Sequence, residues 1–262
     1  MMGIHTYIPT TSATASDYPN YLARKAAILY LLLIPLGFFG LMYIPEVLTD
    51  WNDAVATYHN LSANLQYFRL SIFSALLIQV IQLFLVLALY DLLKPVNRRM
   101  AKVMVCFILS AIPIAMCIEL SHSVIIYLID NKTLETLLTM EQIQQAIMLL
   151  LNTHNDGVMI AHIFWGLWLF PMGCLIIKST FIPKFIGYLL ILGGVGYLVD
   201  TVIWLLIPNS SLTVSEYTFI GEIVLPLWLI IKGVDTEKWM TMLKIKNSDE
   251  QFNYKALRHY SS

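Results

Sequence analysis

The stretch "VMVCFILSAIPIAMCIELSHSVIIYLID", residues 103–130, decides the fold class of this chain. Its first part, 103–116, is almost wholly apolar, and 124–128 is apolar again. A helix needs about 20 apolar residues to cross the roughly 30 Å hydrocarbon core of a bilayer. The stretch therefore predicts a membrane-spanning helix. Glu119 and His122 interrupt it where ionisable side chains are costly and are usually functional.

The composition of the whole chain predicts a protein that crosses the membrane several times. The 262 residues are 58% hydrophobic and only 13% charged, with a mean hydropathy of +0.70. Soluble domains contain about 25% charged residues. The net charge of −1 supplies no basic field for nucleic acid. The expected partner is the lipid bilayer, nucleic acid is excluded, and protein partners remain unknown.

Six apolar runs predict an all-α integral membrane fold with six transmembrane helices. The runs lack the alternation of a transmembrane barrel, and only helices or closed barrels satisfy the backbone in lipid. They divide the chain into a polar N-terminal tail (1–22), a transmembrane domain (23–236) and a basic C-terminal tail (237–262). The runs are 26–44, 70–93, 103–129, 158–177, 185–207 and 218–234.

The basic residues predict the orientation of these helices. Fourteen of the sixteen Lys and Arg residues fall on one side of the six runs, and only Arg69 and Lys132 fall on the other. Cytoplasmic loops carry the excess of Lys and Arg, so both termini are expected in the cytoplasm.

The two long connections on the outer side are expected to contain short amphipathic helices. The segment 131–157 repeats Leu and Ile at intervals of three and four. It predicts a helix that either runs into the fourth span or breaks at "THNDG" (153–157), where Gly157 permits a break. In 45–69, a helix on the membrane surface is predicted by the spacing of Tyr58, Leu61, Leu65 and Phe68.

Ionisable residues from different spans are predicted to share one height. A helix rises 1.5 Å per residue, so heights can be counted from the lysine at the inner end of each span: Lys102, Lys178 and Lys184. By this count Glu119, His162 and Asp200 each lie about 24–25 Å above the lysine of their own span. An ionised side chain facing lipid costs about 2.5–3.5 kcal/mol, so we expect a polar cavity that opens outward. Its candidate residues are Glu119, His122, His154, His162, Asp200 and Glu222.

Three hypotheses for this polar set remain open at this point. The first is a divalent metal site in a membrane-embedded hydrolase of a lipid or amphiphile, with Glu119, His122, His162 and Asp200 as ligands. The second is a proton-linked transporter that uses Glu119, Asp200 and Glu222 as a relay. The third is a hydrogen-bond network that only holds the helices together. A divalent metal is the one cofactor these residues suggest, and whether the protein is an enzyme stays open.

Four blocks of the sequence resemble a known family. They are similar to the prokaryotic integral-membrane family described as domain of unknown function 4386, over roughly 23–240. The resemblance implies a multi-span membrane protein of the bacterial or archaeal cytoplasmic (inner) membrane. It implies no activity and carries over no catalytic residue. The blocks are "ARKAAILYLLLIPLGFFG" (23–40), "LFLVLALYDLLKPVNRRMA" (83–101), "IFWGLWLFPMGCLIIKS" (163–179) and "IPKFIGYLLILGGVGYLVD" (182–200).

Overall fold

The computed structural model describes residues 12–131, 133–207, 210 and 212–245, and all regular structure within these ranges is helical. Eleven helices and one π-helical segment, Phe38–Tyr43, are found there. They are α1 (Ser12–Gly37), α2 (Ile44–Leu48), α3 (Ala54–Ala63), α4 (Leu65–Leu93), α5 (Arg98–Asp130), α6 (Leu134–Leu137), α7 (Met140–Ser179), α8 (Lys184–Leu206), α9 (Ser215–Thr218), α10 (Ile220–Ile231) and α11 (Thr236–Ile245).

The number of candidate membrane spans agrees with the sequence to within one. Five helical stretches in the described ranges are long and apolar enough to cross a membrane: Asp17–Leu48, α4, α5, α7 and α8. A sixth span arises if the stretch Ser215–Ile231 and α11, which meet at 101°, count as one broken span. The all-helical membrane fold is therefore confirmed, with five to six candidate spans. Much of the predicted tails, 1–11 and 246–262, lies outside the described residues.

Helix α7 settles the question left open at "THNDG", because it runs through that sequence without a break. It begins with a capping box in which Thr139 and Gln142 exchange side-chain and backbone hydrogen bonds. Its 40 residues span about 60 Å, roughly twice the hydrocarbon thickness. Its N-terminal part is therefore longer than one span requires, and it packs against α3.

The buried apolar residues form two separate cores. The larger core lies among α1, α4, α5, α7, α8, α10 and α11, and includes the buried Trp168 and Trp239. The smaller core, which we call the outer core, joins α2 and α3 to the N-terminal parts of α4 and α7 and to the C-terminal part of α5. Leu61 and Phe68, predicted to face a membrane surface, are each only 1% exposed in this outer core. An ion pair between Arg69 and Asp130 holds the outer ends of α4 and α5 together.

Glycines set the close approach of α7 and α8. A Cβ added to Gly173 would lie 2.6 Å from the carbonyl oxygen of Gly187, and the reverse substitution gives the same 2.6 Å. Gly166 and Gly194 face each other in the same way, two helical turns from Gly173 along α7. Since backbone atoms cannot move aside, these positions fix α8 against α7.

Candidate functional site

A carboxylate and two imidazoles from α5 and α7 meet at one point. Nδ1 of His122 lies 3.1 Å from Oε2 of Glu119, and Nε2 of His154 lies 3.0 Å from Oε1 of the same carboxylate. The two imidazole rings stack with 3.6 Å between centroids and 15° between planes. One ligand-type atom from each of the three residues lies within 4.8 Å of the others. We call Glu119, His122 and His154 the Glu-His-His cluster.

The Glu-His-His cluster is buried between the two cores. Glu119, His122 and His154 are 6%, 4% and 6% exposed. The ring of Phe68, from the outer core, packs edge-on against His122 with 5.0 Å between centroids. Burying three ionisable groups costs free energy unless they are paired or bind a metal, so the mutual contacts are required.

The helical repeat accounts for each member of the cluster. Glu119 and His122 are three residues apart and share one face of α5, as the sequence predicts. His154 continues the buried stripe of α7 at intervals of four, four and three, after Ile143, Ile147 and Leu151. His154 therefore lies in the middle of a continuous helix and is buried, 6% exposed. The stripe itself was the signal that would have identified it.

Gly157 brings α7 close enough to α5 for this contact. A Cβ on Gly157 would lie 2.6 Å from Cγ1 of Ile118, the residue directly before Glu119. Gly157 is also one helical turn after His154. The missing side chain thus allows the two backbones to approach within reach of one carboxylate, and the role of Gly157 is close packing within a continuous helix.

Asp200 has hydrogen-bond partners of its own, outside the Glu-His-His cluster. Its two carboxylate oxygens accept the backbone N–H groups of Val214, at 2.5 Å, and Ser215, at 3.0 Å. The side chain is 2% exposed. This arrangement fixes the start of α9 against α8 and occupies both oxygens.

Glu222 forms a third centre with two tyrosines. Its carboxylate oxygens accept the hydroxyl groups of Tyr30, at 2.8 Å, and Tyr197, at 2.9 Å. The three residues belong to α10, α1 and α8, so this contact joins three helices. We call it the Tyr-Glu-Tyr lock.

His162 lies beside the Tyr-Glu-Tyr lock. Its ring packs edge-on against Tyr197, with 5.0 Å between centroids, and Asp200 is close enough to act on it electrostatically. Neither its buried Nδ1 nor the buried Nε1 of Trp165 has a hydrogen-bond partner among the described residues. The six predicted residues therefore divide into the Glu-His-His cluster, the Asp200 contact and the group around Glu222.

The Glu-His-His cluster has the composition of a transition-metal site. Two imidazoles and one carboxylate, with a further position open, form the protein part of catalytic zinc sites and of non-haem iron sites. Ligands bound to zinc at about 2.0–2.1 Å in tetrahedral geometry lie about 3.3 Å from each other. The 3.0 and 3.1 Å separations are close to that value. The two contacts run to different oxygens of Glu119 and the three ligand-type atoms lie within 4.8 Å of one another, so an ion between them would require the side chains to rotate toward a common point.

The comparisons with known proteins identify the family of this chain. The model of the family described as Domain of unknown function (DUF4386) matches residues 26–233. The chain belongs to the DUF4386 family. The match contains the whole Glu-His-His cluster, the Tyr-Glu-Tyr lock and Asp200. The resemblance found in the four sequence blocks is thereby confirmed.

A curated relative of this DUF4386 protein comes from the archaeon Archaeoglobus fulgidus. It is an uncharacterized protein, 36% identical over 74 residues, which are 28% of this chain and 44% of the relative. This chain thus matches less than half of that relative's length. No solved structure matches the DUF4386 chain.

Proposed function

We propose that this DUF4386 protein is a membrane-embedded metalloprotein that binds one divalent transition-metal ion through Glu119, His122 and His154. The observation that carries the proposal is the convergence of these three ligand-type side chains, all buried, from two helices. It replaces the sequence-based ligand set, because Asp200 instead contacts the backbone amides of Val214 and Ser215, and His162 packs against Tyr197, away from the three clustered ligand-type atoms.

Hydrolysis of a lipid or another amphiphile is the reaction that we propose for the site. A bound Zn²⁺ with an open position lowers the pKa of a bound water to about 7 and polarises an ester or phosphoryl oxygen. Counted along the helices, Glu119 lies about 25 Å from Lys102 and His154 lies about 36 Å from Lys178, on either side of the edge of a roughly 30 Å core. The ester and phosphate groups of outer-leaflet lipids lie just beyond that edge, which supports a lipid substrate.

The proposal includes the location of the protein. We place it in a prokaryotic cytoplasmic membrane, with both termini in the cytoplasm and the Glu-His-His cluster in the outer half. The distribution of Lys and Arg supports the orientation, and the family and its archaeal relative support the membrane. An outward-opening polar path to the cluster remains part of this proposal.

The transporter hypothesis has less support from the contacts. A relay needs acids that exchange protons along a connected path. Glu119, Asp200 and Glu222 instead have three separate sets of partners: two histidines, two backbone amides and two tyrosines.

Metal analysis of the detergent-purified protein, prepared with a tag free of histidine, tests the proposal. We expect about one zinc or iron ion per chain, and little in Glu119→Gln or His154→Gln. The matched control is His162→Gln, which removes another buried histidine of α7 and should keep its metal. Metal-free wild-type protein, or equal metal in all four proteins, would contradict the proposal and favour a structural network.

The reaction is tested separately with phospholipid vesicles. Mass spectrometry should detect hydrolysed lipid with the metal-loaded wild-type protein and His162→Gln, and none with His154→Gln. Metal binding without any lipid hydrolysis would reject the proposed reaction and leave the metal site standing.

A further inference from the structure

A groove on the basic side of the bundle has the properties of a lipid-binding site. It has a volume of about 680 Å³ and runs between α1 and α4. Most of its wall comes from one stretch of α1, Asp17–Leu29, and the opposite wall includes Phe84 of α4. It lies at the opposite end of the bundle from the Glu-His-His cluster.

Two positive charges lie together in this groove without an ion-pair partner among the described residues. Arg24 and Lys25 are exposed, and neither makes an ion pair with any residue in the described ranges. Arg binds phosphate through two parallel N–H···O bonds, and Lys adds a point charge. The pair therefore favours an anionic phosphate group at this height.

The groove becomes apolar one turn further into the membrane. Ile28 and Leu29 follow Arg24 and Lys25 by four residues each, on the same faces of α1. Ile28 and Phe84 are each 52% exposed. A charged end followed directly by an apolar wall matches a phospholipid, whose headgroup phosphate is joined to acyl chains. A soluble phosphate would gain nothing from the apolar part.

Asp17, an acidic residue in the groove, limits which phospholipid headgroups would bind there. Asp17 also lines the groove, seven residues before Arg24, which is about 10 Å along the helix. Its carboxylate would repel a second phosphate but would accept hydrogen bonds from hydroxyl groups. We propose that this groove binds an anionic phospholipid with one phosphate and a hydroxylated headgroup, of the phosphatidylglycerol type, held by Arg24 and Lys25.

Native mass spectrometry of the full-length protein in detergent tests this site. Phosphatidylglycerol and phosphatidylcholine with identical acyl chains are added in turn, and we expect at least tenfold tighter binding of phosphatidylglycerol. The double variant Arg24→Gln/Lys25→Gln should lose that preference. Lys102→Gln removes an exposed inner-side charge outside the groove and should keep it. Both positions are exposed, and gel filtration verifies that the variants fold.

Further measurements distinguish a phospholipid from a free phosphate as the ligand of the groove. Glycerol phosphate, which lacks acyl chains, should compete at least tenfold more weakly, and Phe84→Asn should weaken binding of the lipid alone. The wild-type protein should prefer phosphatidylglycerol to phosphatidic acid, which has no hydroxylated headgroup. Asp17→Asn should reduce that preference. Equal binding of the two lipids, equal loss in Lys102→Gln, or full competition by glycerol phosphate would overturn the proposal.

Discussion

The imidazole rings of His122 and His154 stack face to face across α5 and α7, 3.6 Å apart, and both contact the carboxylate of Glu119. Two imidazolium cations stacked at this distance would repel each other. A carboxylate only accepts hydrogen bonds, so the ring nitrogens that face Glu119 must each donate an N–H to it when no metal is bound. A divalent metal would replace these two protons and bind the nitrogens directly.

Acidification is expected to release the metal from this cluster. Protons compete with the ion for the imidazole nitrogens and the carboxylate, so occupancy falls as pH decreases. Equilibrium dialysis against buffered Zn²⁺ should show clear loss between about pH 7.5 and about pH 5.5, where histidines generally titrate. The His162→Gln protein should follow the same curve. Occupancy that is constant over this range would contradict histidine ligation.

The contact of Gly157 with Ile118 is expected to control the geometry of the cluster. Gly157→Ala places a Cβ against Ile118 and pushes α5 from α7, at a cost of about 1–3 kcal/mol. Metal content should fall together with the melting temperature in detergent. Adding Ile118→Ala makes room for the new methyl group and should restore both. Failure of the double variant to recover metal would show that close packing at Gly157 is not the cause.

Asp200 is expected to contribute to stability and not to metal binding. Asp200→Ala leaves the amides of Val214 and Ser215 without their acceptors, which costs about 1–3 kcal/mol for each buried group left unpaired. Asp200→Asn keeps one oxygen and should cost less. Both variants should retain the wild-type metal content. Loss of metal in Asp200→Asn at unchanged melting temperature would return Asp200 to the ligand set.

The Tyr-Glu-Tyr lock is expected to stabilise the packing of α1, α8 and α10. Tyr30→Phe and Tyr197→Phe each remove one hydroxyl that donates a hydrogen bond to Glu222. Each should cost about 0.6 kcal/mol, the average for hydrogen bonds between membrane helices, and at most about 1.7 kcal/mol. Thermal melting in detergent measures the loss, and metal content should not change. A drop in lipid hydrolysis with normal melting would instead assign Glu222 a role in the reaction.

The sequence predicted those parts of the site that depend on one helix at a time. Glu119 and His122 share a face because three residues make nearly one turn. Their burial follows from the cost of exposing ionised groups to lipid. The lengths of the apolar runs predicted the membrane fold, and the four sequence blocks predicted the family.

The sequence did not predict which residues join Glu119 from other helices. Counting from the inner lysines gave Glu119 and His162 the same height, but the contact is with His154, about 36 Å from Lys178 along α7. That count assumed that Lys102 and Lys178 lie at one level. A tilt of about 20° changes a rise of about 24 Å by less than about 2 Å, so the difference of about 12 Å reflects a relative shift of α5 and α7 along their axes.

The chain by itself thus determined its membrane helices and the Glu119–His122 pair, because hydropathy and helical repeat are local properties. Only the tertiary structure decided that His154 completes the cluster, that Asp200 holds α9 and that Glu222 joins two tyrosines. The relative shift and rotation of α5, α7 and α8 depend on contacts far apart in sequence, such as Gly157 with Ile118 and Gly173 with Gly187. No single segment carries that information.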